Sequence, residues 1–587
     1  MVTKVWKQNT VIQPTVYDDS KCEGPSIHEI DLYSYFNESD VYEVLIHLDT
    51  TKAMGLDGIG PNVLKYCALA LYQPLYRLFR VSILNHSLPT EWKIHGIIPI
   101  FKSGDKGSVA NYRPISLLSC TSKVLERLVY DRLADYLRKF FSPAQFGFRM
   151  NHSAQQQLLL FYHKIFDIVA RPASSQWDLI FLDFYKAFDS VVHSGLLVKL
   201  RKLGVTGDLW LWLRDYLTNR FQCVCIGESR SELLHVKSGV PQGSILGPLL
   251  FLVFVNDLSE VVVNSQFAMF ADDCKCAKLV SGLQDSNKLK KDLVNLCTWS
   301  LQWKLKFKEV KCVHLRCCKS KPIVDTSYSL NNCELSLSDH HKDLGVLISS
   351  DLTFSAHYDM IVRKAYRTIG LLRRTFSNRT CVKEKRLLYL TLVRSQLVHC
   401  SSVWRPHLLK HIEFLEGVQR RATKYILNDF KSDYKSRLIT LGLLPLMYFL
   451  ELNDVMFCVR SLKFPTSDFN ITDYIQFSKC GTRSSAFMKL SHHFSSRNSE
   501  RHVFFNRIQR LWNSLPPLDL SQSIVTIKSH LHEFLYGHFL TNFHPDLICT
   551  FHFLCPCAKC IHKSHPPILH NTAVLHTVRR YSYLWSL

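Results

Sequence analysis

The stretch Phe267-Ala-Met-Phe-Ala-Asp-Asp-Cys274 places the tightest limit on the fold. The run is apolar enough to be buried, yet it ends in two adjacent carboxylates. An ionised carboxylate buried without a partner is costly, and two side by side repel each other. The pair either caps a solvated turn between strands, where Asp is common, or meets something cationic. A divalent metal is the first candidate. A second segment makes the same demand: Trp177-Asp-Leu-Ile-Phe-Leu182 reads as a short buried strand that stops at Asp183. If the two strands are neighbours, Asp183, Asp272 and Asp273 converge on one sheet edge. They could then hold two divalent ions about 3.5–4 Å apart. Between them lies Ser238-Gly-Val-Pro-Gln-Gly-Ser244. Gly239 and Gly243 would let backbone approach a ligand closely, and Gln242 offers both a donor and an acceptor. A structural turn before a helix is the ordinary reading of that segment.

The rest of the chain divides around this mixed α/β unit, which spans 92–347. Residues 1–37 are polar and aperiodic, and 38–91 form a helical extension in which 38–85 look helical. Within the α/β unit, His95–Phe101 reads as a strand and Thr121–Phe140 as a helix with Val124, Leu128, Leu133 and Leu137 near one face. Residues 348–440 are helical, 441–545 form a further helical region, and 546–587 a Cys/His-rich tail. In the 348–440 segment, the stripe Ile361, Ala365, Ile369, Leu372 is accompanied by Arg363, Arg367, Arg373 and Arg374. The stripe Leu415, Val418, Ala422, Ile426 is accompanied by Arg420 and Arg421. Such charges are either a solvated face or a grip on a nucleic-acid backbone. The formal net charge of +23, from 72 Lys+Arg against 49 Asp+Glu, favours a polyanionic partner, nucleic acid before membrane. The 20 cysteines are scattered and follow no secretory signal, so free thiols in a reducing compartment are expected. The most apolar stretch, 245–258, is interrupted and falls short of the roughly 20 residues a membrane helix needs.

The segments together resemble, in order, the blocks of reverse transcriptases from non-LTR (LINE-type) retrotransposons, with the jockey-like group most similar. Lys52-Ala-Met-Gly-Leu-Asp-Gly-Ile59 resembles the extra N-terminal block of that lineage. Ile97–Lys102 with Asn111–Leu117, and Ala144-Gln-Phe-Gly-Phe-Arg149, resemble the two fingers blocks. Leu182–Asp189, Gly239–Ser244 and Phe270–Asp273 look like palm blocks, and Trp299–Cys312 like the block after them. His399–Trp404 and Glu416–Ala422 resemble the thumb, and Phe504–Pro516 the C-terminal region. The resemblance covers roughly residues 40–540. It departs from the wider pattern at Phe270, where many reverse transcriptases carry Tyr, and at Lys308, where relatives often carry Asn.

The resemblance implies an α+β right-hand polymerase with fingers, a mixed α/β palm, and a helical thumb and C-terminal region. It implies an RNA-directed DNA polymerase that takes an RNA template, a DNA primer or target and dNTPs. Asp183, Asp272 and Asp273 would be the catalytic acids and ligands of two Mg²⁺ ions, with Mn²⁺ as a substitute, and the carbonyl of Phe184 would complete a metal shell. Lys102 and Arg113 would neutralise the triphosphate. Phe188 would stand against the sugar 2′ position, Gln242 would contact the incoming nucleotide, and Lys311 would protonate pyrophosphate. Asp189 is read as positioning. The apurinic-type endonuclease of complete jockey-like proteins is expected to be missing. Two other readings stay open: an idle remnant that only binds nucleic acid, and a group II intron maturase-like protein. An intracellular protein, nuclear or cytoplasmic, is expected. In the tail, Cys555, Cys557, Cys560 and His565 have donor types that zinc accepts, but the spacing fits no common finger, so an incidental cluster is the preferred reading.

Overall fold

The computed structural model describes residues 36–169, 176–318, 324–377, 379–466, 468–478, 489–491 and 502–554. The expected zinc cluster lies outside these residues. Helices α1 (Glu38–Ile46), α2 (Pro61–Tyr66) and α3 (Ala68–Leu84) open the chain. The helix expected over 38–85 is therefore broken between 47 and 60. Glycine explains the break: a Cβ on Gly55 would lie 2.8 Å from the Ser119 backbone, so this stretch is pressed flat against the next unit.

Two sheets follow. The first joins β1 (Ile94–Phe101), β2 (Tyr112–Leu117), β4 (Arg220–Ile226), β5 (Ser229–Arg230) and β6 (Leu234–Val236), with β1 antiparallel to β2 and parallel to β4. The second is central and runs in the order β12 (Ser336–Ser338), β9 (Val313–Cys318), β3 (Gln176–Leu182), β8 (Asp273–Val280), β7 (Gln266–Phe270), with a small antiparallel pair, β10 (Ser329–Leu330) and β11 (Cys333–Glu334), between β9 and β12 in the chain. Every residue of β3 is buried. Its two faces serve different cores. Trp177, Leu179 and Phe181 pack into the core of the C-terminal half, and Ile180 and Leu182 into the core of the N-terminal half. A strand covered on both faces reads as a largely apolar run, and Leu179–Leu182 does; Gln176 and Asp178 are the buried polar exceptions.

Helices α4 (Cys120–Leu137), α5 (Ala154–Val169), α6 (His193–Lys202), α7 (Gly207–Leu217), α8 (Leu246–Val255) and α9 (Leu283–Trp303) cover the sheets. The expected stripe of α4 is buried. Helix α8 is apolar on all sides and buried accordingly. Its unpaired N-terminal amides are met by Glu126 of α4, which accepts from Ile245 at 2.8 Å and Leu246 at 3.2 Å. The hairpin β13 (His340–Asp343) and β14 (Val346–Ser349) leads into α10 (Ser355–Thr375). Helices α11 (Val382–Leu388), α12 (Ser395–Val398), α13 (Ser401–Trp404), α14 (Leu409–Leu427) and α15 (Tyr434–Leu441) complete the segment to 441. The stripes expected on α10 and α14 face the core.

Helices α16 (Leu446–Lys463), α17 (Phe504–Asn513) and α18 (Ile524–Asn542) build the last region. It extends past the expected limit of 545: Phe551 and His552 are buried against it. No single described helix is long and apolar enough to cross a membrane, and every described cysteine is a free thiol.

A buried ion network ties this region to the helices before it. Arg405 donates to Glu451 at 2.9 Å and to Asp454 at 2.7 Å, while Arg507 donates to Asp454 at 2.9 Å and to the Ser402 carbonyl at 2.6 Å. The two guanidiniums hold the Asp454 carboxyl below its ordinary range despite full burial. Asp454→Ala would leave both cations underpaired in the interior. It should cost about 3–5 kcal/mol, read as a lower denaturant midpoint.

Candidate active site

The register of the central sheet assembles the acids. β3 is antiparallel to β8 with Leu182 opposite Cys274, so Asp183, one step on, arrives beside Asp273. β7 and β8 are antiparallel with Phe270 paired to Asp273, which leaves Ala271 and Asp272 as a two-residue turn. The two strands are neighbours, and the three carboxylates share one sheet end. Burial and then the Asp183 charge push the Asp272 carboxyl up. The Asp273 carboxyl is pushed up to about 6 by the protein packed around it and by Asp272, Asp343 and Asp183.

Asp178, on the same strand, shows what a settled buried carboxylate looks like. It accepts from the Tyr328 hydroxyl at 2.6 Å and from the Gln176 amide at 3.0 Å, and Arg316 lies 3.7 Å away. The acids at the strand ends instead crowd one another, a charge arrangement that a cation relieves.

Cations face them from two sides. The Lys311 ammonium is 3.1 Å from Asp183. Lys102 follows β1, where its amide donates to the Asn111 carbonyl at 2.8 Å, and Arg113 stands opposite Ile100 on β2. Burial and the Lys311 and Arg113 charges push the Lys102 ammonium down, while Asp183 and Asp272 oppose that shift. Three of the expected nucleotide-binding residues thus share one electrostatic field with the acids. Behind the site, Lys275 is buried and paired with Asp343, which also accepts from the Tyr162 hydroxyl at 2.8 Å.

The Phe184 carbonyl takes no bond from the 306–308 segment beside it. Phe184 and Phe307 form an antiparallel bridge made by the bonds Tyr185 N–H to Lys306 and Lys308 N–H to Asp183. Phe184 is the non-bonded member, so its carbonyl points away from that partner. Phe188 is half-buried, its ring stacked on Phe251 at 4.5 Å with Phe148 edge-on at 6.1 Å. The 239–243 loop is locked to it, since Val240 N–H donates to the Phe188 carbonyl at 2.9 Å. Gln242 donates to Asp189 at 3.0 Å, and its carbonyl accepts from Ser116 N–H at 2.8 Å. Gly243 has φ +127, and a Cβ there would meet the Ser116 carbonyl at 2.7 Å.

The turn before Asp272 is strained. Ala271 has φ +57 at a position where hairpin turns ordinarily take Gly, a conformation costing about 1–3 kcal/mol. The segment 144–147 holds it there. Gln145 pairs with Met269 as a parallel bridge, and its side-chain oxygen accepts from Ala271 N–H at 2.9 Å. The sequence reading gave Gln145, Gly147, Arg149, Lys275 and Asp343 no role. The signals were present: a charged residue inside strand β8, and a glycine in the quoted 144–149 block.

Arg363, Arg367, Arg373 and Arg374 are exposed on α10, and Arg421 is exposed on α14 with its guanidinium 5.4 Å from the Tyr366 ring. Arg420 corrects the expectation of a phosphate contact. It lies over the Tyr434 and Phe551 rings at 4.9 and 5.1 Å and donates to the Pro545 carbonyl at 2.5 Å. Its charge is committed to docking the C-terminal region.

Residues 101–346 match the family described as reverse transcriptase (RNA-dependent DNA polymerase). The chain is 28% identical over 410 residues to the probable RNA-directed DNA polymerase from transposon BS of Drosophila melanogaster, covering 66% of this chain and 44% of that protein. It is 30% identical over 345 residues to the RNA-directed DNA polymerase from mobile element jockey of the same organism, covering 56% and 37%. The chain thus spans less than half the length of these relatives. Among solved structures, apo telomerase from Candida Tropicalis truncated from its C-terminal domain aligns at 12% identity with a TM-score of 0.31, over 49% of this chain and 59% of that one.

Gly147 leaves no room for a side chain. A Cβ there would stand 2.2 Å from the Ala271 nitrogen and 2.9 Å from its Cα. Gly147→Ala should therefore destabilise the protein by about 1–3 kcal/mol in denaturant unfolding. Gly537→Ala, with open space at its Cβ within α18, should be neutral or stabilising.

Proposed function

We propose, for a chain that belongs through residues 101–346 to the reverse transcriptases and is related to the polymerases of LINE-type transposons, that it extends a DNA 3′ end on an RNA template. The observation that carries this reading is the Leu182–Cys274 pairing, which sets Asp183 beside Asp272 and Asp273 opposite Lys102, Arg113 and Lys311.

The donors suit hard divalent cations: carboxylate oxygens and one carbonyl turned away from the 306–308 segment, in a place where like charges crowd. Among the described residues no group closes into a ready metal cage, and Lys311 holds an oxygen of Asp183. Asp183, Asp272, Asp273 and the Phe184 carbonyl would hold two Mg²⁺ ions, with Mn²⁺ able to substitute. Bound there, the ions would lower the pKa of the attacking hydroxyl and neutralise the leaving pyrophosphate.

The chain's own groups do the rest. Lys102 and Arg113 bind the triphosphate; the Arg113 guanidinium suits paired contacts to phosphate oxygens. Lys311 stands at the acids with a proton to give to pyrophosphate. The Phe188 ring, backed by Phe251, excludes a ribose because only ribose carries the 2′ hydroxyl. Gln242, held by Asp189, orients the incoming nucleotide against its template neighbour. Arg363, Arg367, Arg373, Arg374 and Arg421 grip the phosphates of the template–primer duplex.

Primer extension on an RNA template with magnesium and dNTPs tests the reading. The unsubstituted chain should extend the primer. Asp183→Ala and Asp272→Ala should each lower the rate by roughly a thousandfold or more, because several kcal/mol of charge stabilisation is lost. Template–primer binding should stay within a few-fold. Binding without extension by the unsubstituted chain would instead identify a nucleic-acid-binding remnant.

The arginines on α10 and α14 have a separate signature. Neutralising one that contacts a phosphate should flatten the log–log salt dependence of duplex binding by roughly one unit or slightly less. The loss should be alike for unrelated template sequences and should shorten products per binding event. Arg420→Ala should leave the salt slope unchanged, since its guanidinium is spent on Pro545, Tyr434 and Phe551.

A further inference from the structure

The catalytic turn is tied by a continuous set of bonds to the C-terminal region. Gln145 is buried, and its amide brackets the strained residue: its oxygen accepts from Ala271 N–H at 2.9 Å, and its nitrogen lies 3.4 Å from the Ala271 carbonyl. The same oxygen accepts from Gly147 N–H at 2.8 Å. On either side, Phe146 N–H donates to Met269 at 2.9 Å and Met269 N–H donates to Ala144 at 2.8 Å. The 144–147 segment thus acts as an extra short strand beside β7, gripping the turn that presents Asp272.

Arg149 fixes this segment in turn. Its guanidinium donates to the Gln145 carbonyl at 2.9 Å and to the Ser142 carbonyl at 3.0 Å. It also pairs with Asp468, and both side chains are buried, at 5% and 8% exposure. His152 approaches the same carboxylate at 3.4 Å. Asp468 belongs to the C-terminal region, in the connection after α16. It is anchored by its neighbour Phe469, which is buried beside Phe457 and Tyr474. Tyr474 stacks on Phe505 of α17 at 4.6 Å.

We propose that Asp468 is a positioning residue: through Arg149 and Gln145, the C-terminal region sets the conformation of Ala271 and with it the placement of Asp272 and Asp273. The inference rests on the polymerase reading for what those acids do, but the linkage itself is independent of it. A surface ion pair would carry no such weight. Here the pair is buried, so breaking it leaves unmatched the charge of the guanidinium that holds the Ser142 and Gln145 carbonyls. A non-Gly residue at positive φ persists only while its surroundings hold it.

Two measurements on the whole chain separate positioning from simple structural support. The first is amide exchange. In Asp468→Asn, Ala271 N–H should exchange about tenfold faster, while β3 amides stay unchanged. The second is a pre-steady-state burst of primer extension. Its amplitude counts active molecules and its rate reads the geometry in each. Asp468→Asn should lower the burst rate about ten- to a hundredfold with amplitude and template–primer affinity retained, and Asp468→Glu should recover most of the rate. A loss of amplitude at unchanged rate would overturn the proposal in favour of a stability role, as would unchanged exchange at Ala271. If the unsubstituted chain extends no primer, the polymerase reading fails, while exchange at Ala271 still decides the linkage.

Discussion

The crowding of three carboxylates at one end of the central sheet is the constraint on which the rest of the structure depends. Coulomb repulsion between unit charges a few ångströms apart amounts to about 4 kcal/mol at an effective dielectric of 20. An arrangement of that kind survives only where the chain is held there by other means. Covalent proximity holds Asp272 to Asp273, and the β3–β8 register holds Asp183 to both. The cations that compensate are of two kinds. Lys275 is buried and spent on Asp343. Lys102, Arg113 and Lys311 are exposed, at the open side of the acids.

The strand β3 explains why the acids stand where they do. Its alternating side chains feed two different cores, Trp177, Leu179 and Phe181 on one side and Ile180 and Leu182 on the other. Within such a strand a carboxylate must be fully satisfied, and Asp178 is, by Tyr328 and Gln176. A carboxylate that must bind something from outside has room only past the last residue covered on both faces. Asp183 occupies that position, and Asp273 occupies the matching one on the neighbouring strand.

Much of this was legible in the sequence because burial leaves a one-dimensional trace. The apolar run Leu179–Leu182 of β3, the run ending at Asp272 and the stripe of α14 are each visible in the order of apolar residues. The break at 47–60 was missed although Gly55, Gly58, Gly60 and Pro61 marked it, because helical patterning on both sides was extended across it. Arg420 shows a different limit. A helix has one face toward its nearest neighbours, and periodicity assigns everything else to solvent. The Pro545–Phe551 segment, far along the chain, covers that second face. The bonds from Gln145 to Ala271 were also out of reach, since a pairing between segments 126 residues apart leaves no local pattern.

The two cores meet at the site, and this gives the C-terminal half a reason to be folded onto the polymerase unit. The core that contains Leu179 and Phe181 is the same one that contains Leu415, Met447, Phe505 and Phe539. One face of the strand leading to Asp183 therefore belongs to a continuous apolar core that includes residues from α14, α16, α17 and α18, and their removal would open that core to water. At about 25 cal/mol per Å² of apolar surface, uncovering even a few large side chains costs several kcal/mol, comparable to a large part of a domain's net stability. The arginines that face outward on α10 and α14 stand on helices whose inner faces complete that same core. The helices that carry these arginines and the strand that leads to Asp183 thus share one core, so a change in the packing of either is felt by the other.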